Sequence, residues 1–240
     1  MQHPRRILLA AALALAAAPI LHAREANEIV IGTSAGPYAD QVKHGIKPIL
    51  ERQGYKVKVV EFSGYIQPNF ALAEGSLDAN VFQHSVYLNK FAADHKLALS
   101  ELVSIPTAPI AIYSRRHRSP DTARPGTTAA LPNDPTNQAR ALVMLERLGW
   151  IKLRPSTDPV KASERDIAAN PRGIKLLPLE AAQLPRALQD ADYAFINGNY
   201  ALASADRSRE FLAWTVQHCP GYAKTDYQLA LLARNSAKAR

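Results

Sequence analysis

Residues 28–62 read EIVIGTSAGPYADQVKHGIKPILERQGYKVKVVEF, in which two β-rich runs enclose a segment with helical spacing. The β-rich runs are Glu28–Thr33 and Lys56–Phe62, and the apolar residues of Tyr38–Gln53 recur three and four positions apart. A strand, a helix and a second strand in this order predict a βαβ unit and a parallel sheet. Pro48 lies inside the helical segment, so we expect a kink or a restart there.

The alternation of strands and helices continues along the chain. Pro68 is suited to open a helix that Gly75 closes, because proline fits the first helical turn and glycine the end of a helix. The apolar pattern then predicts a strand at 78–82, a helix at 84–94 and β-like segments at 102–105 and 110–114. We expect these elements to complete a first lobe.

A polar link at 115–126, rich in proline and arginine, separates this series from a second one. The second series predicts strands at 128–131, 174–177 and 193–196 and helices at 135–148 and 181–189. The change in composition marks a lobe boundary. The sequence therefore predicts an α/β fold with two lobes, each a largely parallel sheet flanked by helices. Ligands of such sheets bind beyond the carboxyl ends of the strands.

The amino terminus has the features of a secretory signal peptide over residues 1–23. Arg5 and Arg6 precede an uncharged apolar run from Ile7 to Leu21, and Ala23 offers a small residue for cleavage. The apolar run is shorter than the ~20 residues of a membrane-spanning helix, so a retained anchor is the weaker alternative. Residues 1–23 contain no cysteine, so we expect no lipid anchor on Cys and a soluble periplasmic product.

The composition of the 240 residues, 47% hydrophobic and 21% charged, is that of a globular protein. The net charge is +8, but basic residues are scattered among acidic ones, and the one local basic cluster is Arg115–Arg118. We interpret that cluster as a solvated loop and expect no nucleic-acid partner. Cys219 is the single cysteine, so the chain forms no internal disulfide.

The segment LPNDPTNQAR, residues 131–140, has the chemistry of a carboxylate receptor. Asp134 can cap a helix in which Pro135 takes the first position. Asn137 and Arg140 are three residues apart and share a helix face, which brings an amide beside a planar two-pronged donor. A plain helix cap with a surface arginine is the alternative.

Two further groups of residues follow predicted strands and are candidates for ligand contact. Phe82, His84 and Tyr87 place two rings and an imidazole near one helix start, where rings suit a thioether or another apolar side chain. Tyr65 can cover a bound side chain, and Asn197 can accept a hydrogen bond from an amino group. The alternatives are core aromatics with a satisfied histidine, and ordinary turn residues.

Motifs of the common enzyme classes are absent from the sequence. The chain has no G-x-S-x-G elbow, no H-E-x-x-H, no paired cysteine ligands, no G-x-G-x-x-G and no P-loop. We therefore expect a protein that is not an enzyme, with no catalytic residues, no metal site and no cofactor.

Several long segments together resemble those of one family. LPNDPTNQAR, DANVFQHSVYL, YIQPN, EAAQLPR and INGNYA are similar to segments of the MetQ/NlpA family of methionine-binding proteins, over about residues 28–232. The resemblance implies a two-lobed periplasmic-binding-protein fold that clamps methionine, or a similar free amino acid, and delivers it to an inner-membrane ABC permease when the lobes close.

The resemblance also implies a role for each candidate residue. Arg140, assisted by Asn137, is expected to bind the ligand carboxylate, and Asn197 its polar end. Tyr65, Phe82, His84 and Tyr87 are expected to form the wall around the side chain. The expected partition is a signal peptide at 1–23, lobe 1 at 24–114, lobe 2 at 115–197 and a return to lobe 1 at 198–240.

The sequence departs from the family pattern at three places. It lacks the acylated cysteine of many members, it ends at Arg240 where members usually continue through a further helix, and Gly64 stands where an acid is often found. A degenerate paralogue, a surface interaction protein such as an adhesin that reuses the fold, and a binder of another small amino acid are the alternative functions.

Overall fold

The computed structural model describes residues 26–105 and 109–204. The strands are Glu28–Ser34 (β1), Lys56–Phe62 (β2), Ala79–Val81 (β3), Ile110–Tyr113 (β4), Thr128–Pro132 (β5), Lys152–Leu153 (β6), Ile167–Ala169 (β7), Lys175–Leu179 (β8) and Tyr193–Asn197 (β9). The α-helices are Pro37–Asp40 (α1), Lys47–Arg52 (α2), Gln67–Ala73 (α3), Ser85–His95 (α4), Pro135–Arg147 (α5), Leu184–Ala187 (α6) and Gly198–Ala203 (α7). A π-helical turn spans Gln41–Ile46, and short 3₁₀ turns span Pro120–Thr122, Glu164–Asp166 and Ala181–Gln183.

The first sheet has the strand order β2-β1-β3, and all its pairs are parallel. β1 and β2 pair in register from Glu28↔Lys56 to Ser34↔Phe62, which confirms the predicted βαβ unit. The helical segment between them is interrupted by the π-helical turn, and Pro48 lies in the first turn of α2. The restart predicted at this proline is confirmed, because proline is accommodated where a helix begins.

The second sheet has the order β4-β9-β5-β8 and is parallel except for the antiparallel pair of β4 with β9. Helix α5 covers one face, where Leu142, Leu145 and Trp150 pack among the sheet residues Ile112 and Phe195 in one buried cluster. A separate two-stranded sheet joins β6 and β7. Parallel-dominated sheets flanked by helices confirm the predicted α/β class.

Strand β4 was predicted to end the first lobe, and this placement is wrong. It pairs with β9 in the second sheet, from Ile110↔Asn197 to Tyr113↔Ala194. All four β4 residues are buried and apolar in character, so the sequence shows a strand but does not show which sheet receives it. The β-like segment at 102–105 forms no strand, and Leu102 is 92% exposed.

The chain crosses between the two sheets next to β4 and again after β9. Gly198, directly after β9, donates its backbone N–H to the carbonyl oxygen of Pro109, directly before β4, at 2.9 Å. Asn199 then donates to the Ser34 hydroxyl at the end of β1, at 3.3 Å, so α7 lies against the first sheet. The lobe boundaries themselves stay predictions.

Two predicted segments lie outside the described residues: the signal peptide at 1–23, and the part of the carboxyl-terminal return from residue 205 onward. No helix in the described ranges combines the length and apolar character needed to cross a membrane.

Candidate functional site

The seven candidate residues line one cavity between the two sheets. They are Tyr65, Phe82, His84, Tyr87, Asn137, Arg140 and Asn197. The cavity has an empty volume of about 300 Å³, which includes its open mouth. His84 Nε2 and Asn137 Oδ1, on opposite sides of it, are 3.4 Å apart, so its walls lie close together.

Three residues that the sequence analysis did not select also line the cavity: Tyr38, Gln83 and Asn199. Tyr38 lies in α1, just past the end of β1, and Asn199 lies in α7, just past the end of β9. The sequence feature that could have predicted them is their position just after a strand. Asn199 is typical of a turn, however, so its sequence alone does not distinguish it from a connecting residue.

The first wall, which we call the ring wall, consists of Tyr65, Phe82 and Tyr87. Tyr65 stacks on Phe82 with 5.7 Å between ring centroids, and Tyr87 meets both rings edge-on at 6.0 and 6.2 Å. The Tyr65 hydroxyl donates to Asn199 Oδ1 at 2.7 Å, and the Tyr87 hydroxyl donates to the carbonyl oxygen of Tyr65 at 3.2 Å. Burial raises the pKa of both tyrosines, so the wall is uncharged.

An amide network supports the loop that carries Phe82 and His84. Asn69 is fully buried, and its Oδ1 accepts from Asn80 Nδ2 at 2.9 Å and from Gln83 Nε2 at 2.7 Å. Asn69 Nδ2 in turn donates to Gln83 Oε1 at 3.0 Å. Gln83 lines the cavity, but its amide oxygen and nitrogen both have partners within this network, so it contributes rigidity to the loop.

The second wall, which we call the polar wall, consists of Asn137, Arg140 and Asn197. It is organised by the start of α5, where the predicted cap is confirmed: Asp134 Oδ1 accepts from the backbone N–H of Asn137 at 3.0 Å, with Pro135 in the first turn. The Asn137 side-chain amide also donates to Asp134, at 3.0 Å to each carboxylate oxygen. The amide nitrogen therefore faces the helix cap and its oxygen faces the cavity.

The Asn137 side-chain oxygen is the shared hydrogen-bond acceptor of the polar wall. It accepts from Arg140 Nη1 at 2.9 Å and from Asn197 Nδ2 at 2.9 Å. His84 Nε2, from the other side of the cavity, lies 3.4 Å away. The resemblance implies that Asn137 assists Arg140 at the ligand carboxylate; in the structure its side-chain nitrogen donates to Asp134 and its oxygen accepts from Arg140.

His84 joins the two walls in its neutral form. It caps α4, because its Nδ1 accepts the backbone N–H of Tyr87 at 3.1 Å. An accepting Nδ1 leaves the imidazole proton on Nε2, where it points toward Asn137 Oδ1. Burial, and secondly the positive charge of Arg140, lower the pKa of His84 from 6.5 to about 4.

One acceptor in the cavity has no hydrogen-bond partner among the described residues. Asn197 Oδ1 is buried and makes no hydrogen bond within the described part of the chain. A buried acceptor without a partner costs free energy, so an N–H donor that reached this atom would gain a hydrogen bond at little desolvation cost. Among the described residues, no group of three or more His, Cys, Asp or Glu side chains is placed to hold a metal ion.

Comparison with known proteins assigns this chain to a family. The family model described as NlpA lipoprotein matches residues 29–214. The chain belongs to the NlpA family. The resemblance found in the sequence is thereby confirmed, and the structural neighbours of this NlpA-family chain confirm the expected binding-protein fold.

Two relatives of this NlpA-family chain are named for methionine. The probable D-methionine-binding lipoprotein MetQ of Vibrio cholerae is 41% identical over 175 residues, which are 73% of this chain and 65% of that protein. The D-methionine-binding lipoprotein MetQ of Escherichia coli K12 is 37% identical over 180 residues, 74% of this chain and 66% of that protein. The chain thus spans just under two thirds of the length of these relatives.

Solved structures agree with the family assignment. A nutrient-binding protein from Burkholderia cenocepacia, bound to methionine, gives a TM-score of 0.68 at 41% identity, over 76% of this chain and 77% of that one. An ABC-transporter periplasmic substrate-binding protein from Coxiella burnetii gives a TM-score of 0.70 at 38% identity, over 76% and 77% of the two chains.

Proposed function

We propose that this chain is an exported substrate-binding protein that captures methionine, or a close amino-acid relative, for an ABC importer. One observation carries the proposal: a ring wall from the first sheet faces a polar wall, with one guanidinium and two amides, from the second sheet across one narrow cavity. A free amino acid with an apolar side chain has the two ends that such walls complement.

The polar wall is suited to the backbone end of the ligand. Arg140 offers planar N–H groups to a carboxylate, and a charge-assisted hydrogen bond there is stronger than its present bond to a neutral amide oxygen. Asn197 Oδ1, which lacks a partner within the described part of the chain, would accept from the ligand ammonium. Both ends of the amino-acid backbone are then satisfied.

The ring wall is suited to the side chain. Tyr65 and Phe82 present buried ring surfaces, and a thioether sulfur gains favourable contact with aromatic rings. The tyrosine hydroxyls are already bound to Asn199 and to the Tyr65 carbonyl oxygen, so they do not demand a polar partner from the ligand. The wall therefore suits a thioether or another apolar side chain.

A ligand that contacts both walls would hold the two sheets together. Because it gains contacts only when the walls are close, it would shift the population toward the closed form, which the inner-membrane permease would then recognise. In this role the protein binds and releases its ligand unchanged, and no catalytic step or cofactor is required.

Residues 1–23 have the features of a secretory leader, so we expect the protein to reach the periplasm. The MetQ relatives are named lipoproteins, whereas residues 1–23 of this chain contain no cysteine. The intact mass of the protein purified from the periplasm shows whether the leader is removed and whether acyl chains are attached.

Isothermal titration tests the function directly. The protein is unfolded and refolded to remove carried-over ligand, then titrated with L-methionine, D-methionine, norleucine, methioninol and N-acetylmethionine. We expect methionine to bind, methioninol to lose affinity because it has no carboxylate, and N-acetylmethionine to lose affinity because it has no ammonium. Equal binding of methionine and methioninol, or no binding of any amino acid, would overturn the proposal.

A further inference from the structure

We propose that Asp134 is a positioning residue of this site: it fixes the Asn137 amide so that the amide oxygen, and not its N–H groups, gathers Arg140, Asn197 and His84. The affinity readout of this inference rests on the proposed function. The structural readout does not, because it is measured on the protein without added ligand.

The orientation of the Asn137 amide follows from the chemistry of its neighbours. The Asp134 carboxylate only accepts hydrogen bonds, and it lies 3.0 Å from Asn137 Nδ2 through each of its oxygens. The Arg140 guanidinium only donates, and it lies 2.9 Å from Asn137 Oδ1. Rotating the amide by half a turn would oppose acceptor to acceptor and donor to donor.

This orientation turns the Asn137 side-chain nitrogen toward Asp134 and away from Arg140 and Asn197. Its backbone N–H and its side-chain amide both donate to Asp134. What it contributes to the cavity is one buried oxygen, which holds the Arg140 and Asn197 side chains side by side. Asn137 therefore acts on the ligand through the donors that it aligns.

The same oxygen connects the two sides of the cavity. His84 caps α4 on the ring-wall side, and its Nε2 lies 3.4 Å from Asn137 Oδ1 on α5. Because the Nδ1 atom is occupied by the Tyr87 N–H, the Nε2 proton has this oxygen as its acceptor. Asp134 thus sets, through one amide, both the alignment of the polar wall and its contact with the opposite helix.

Two substitutions separate this role from helix capping. Asp134→Asn and Asp134→Ser both keep a residue that caps a helix well, so α5 and the melting temperature should be little affected. Neither keeps two accepting carboxylate oxygens, so the Asn137 amide is held less firmly and its oxygen loses its alignment with Arg140 and Asn197 in part of the molecules. We expect methionine affinity to fall about tenfold or more.

The matched control is Asp121→Asn. Asp121 is likewise an aspartate at the start of a helical element, where it accepts from the Ser119 hydroxyl in a 3₁₀ turn, but it is remote from the cavity lining. It should leave methionine affinity unchanged. If Asn137 instead donated directly to the ligand carboxylate, Asp134→Asn would free its amide for that contact, and affinity would hold or rise.

A spectroscopic readout in the ligand-free protein completes the test. Nitrogen-15 NMR of the full chain, expressed with its own leader and purified from the periplasm, should show a neutral His84 ring with its proton on Nε2. In Asp134→Asn that Nε2–H signal should shift, while the other histidines keep theirs.

The outcomes are distinguishable. If the parent does not bind methionine, the proposed function is wrong, and the His84 signal still decides the positioning role. If Asp134→Asn and Asp134→Ser keep the parent affinity and the parent His84 signal, the positioning role is wrong. It is also wrong if affinity falls only in step with the melting temperature while the His84 signal is unchanged.

Discussion

The ring wall and the polar wall differ in whether their polar atoms have hydrogen-bond partners within the described protein. The three rings contact one another, and the two tyrosine hydroxyls donate to Asn199 and to the backbone of Tyr65, so the polar atoms of that wall have partners within the protein. The polar wall gathers its donors on one amide oxygen and leaves Asn197 Oδ1 without a partner within the described residues.

This difference indicates how the two walls divide the work of recognition. A wall that is already packed and satisfied discriminates by shape, since a ligand only adds surface contact to it. A wall whose hydrogen bonds can be exchanged for stronger ones discriminates by charge. We therefore expect changes in the polar wall to remove binding and changes in the ring wall to alter selectivity.

The largest expected effect comes from removing the charge of the polar wall. Arg140→Ala should abolish detectable methionine binding, because a buried carboxylate that loses its charged partner costs about 2–5 kcal/mol. Isothermal titration measures the loss. Arg147→Ala is the control, since Arg147 is exposed at the far end of the same helix and should keep the parent affinity. An Arg140→Ala protein that binds methionine normally would leave the polar wall without a function.

The second expected effect is a pH dependence of the free energy of unfolding, which arises from His84 and not from the ring wall. The pKa of His84 is about 4 in the folded protein and near 6.5 when the histidine is solvated. Between these values the unfolded chain binds a proton that the folded chain does not. The free energy of unfolding should therefore fall as the pH is lowered through this window, by at most about 1.4 kcal/mol per pH unit.

Urea denaturation near pH 7 and near pH 4.5 measures this slope. His84→Gln removes the titrating group and should flatten the slope, while its lost helix cap lowers stability equally at both pH values. The ring wall adds nothing to the slope, because burial raises the pKa of its tyrosines away from this range. Identical slopes in parent and variant would show that His84 titrates normally.

A ring-wall substitution should have a smaller effect on affinity and a clear one on selectivity. Phe82→Leu keeps an apolar side chain but removes the stacking on Tyr65, which should lower methionine affinity by about 1 kcal/mol. The preference for methionine over norleucine should narrow, since the sulfur loses a ring contact. Phe70→Leu is the control, because Phe70 packs on Phe91 and His95 outside the cavity.

Titration of both variants with methionine and norleucine checks this prediction. An unchanged preference in Phe82→Leu would mean that the ring wall does not sense the sulfur.

The smallest expected effect lies at the rim where the two sides meet. A Cβ at Gly64 would lie 2.5 Å from Glu180 Oε1 and 2.9 Å from Gln67 Oε1. Both atoms end flexible side chains, so Gly64→Ala should lower methionine affinity by only about 0.5 kcal/mol. Gly45→Ala is the control, because a Cβ there meets no atom of the described chain within 4 Å.

Glu180→Ala combined with Gly64→Ala should restore the parent affinity measured by titration, since the closest contact is then absent. A double variant as weak as Gly64→Ala alone would show that the rim contact with Glu180 is not the cause.

The features predicted correctly from the sequence are those with local signals. The βαβ unit follows from the periodicity of residues 28–62, and the cap of α5 follows from Asp134 directly before Pro135. The seven candidate residues share a cavity because each follows a strand or opens a helix, and such positions converge at one edge of a parallel sheet.

The features that the sequence did not predict depend on distant partners. The sheet to which β4 belongs is set by its pairing with β9, and the residue types of Ile110–Tyr113 do not specify β9 as the partner. Asn199 contributes to the cavity through Tyr65, 134 residues away. The direction of the Asn137 amide depends on the three-dimensional placement of Asp134 and Arg140 on either side of it.

The hydrogen bond between Gly198 and Pro109 has a mechanical consequence. It fastens together the two places where the chain passes from one sheet to the other, and β4 and β9 continue from there as neighbouring ribbons. Two paired chain segments that are hydrogen-bonded side by side bend together more readily than they slide past each other or separate. We therefore expect any relative movement of the two sheets to be a swing about this seam, in which Asn197, adjacent to it, moves less than residues farther away.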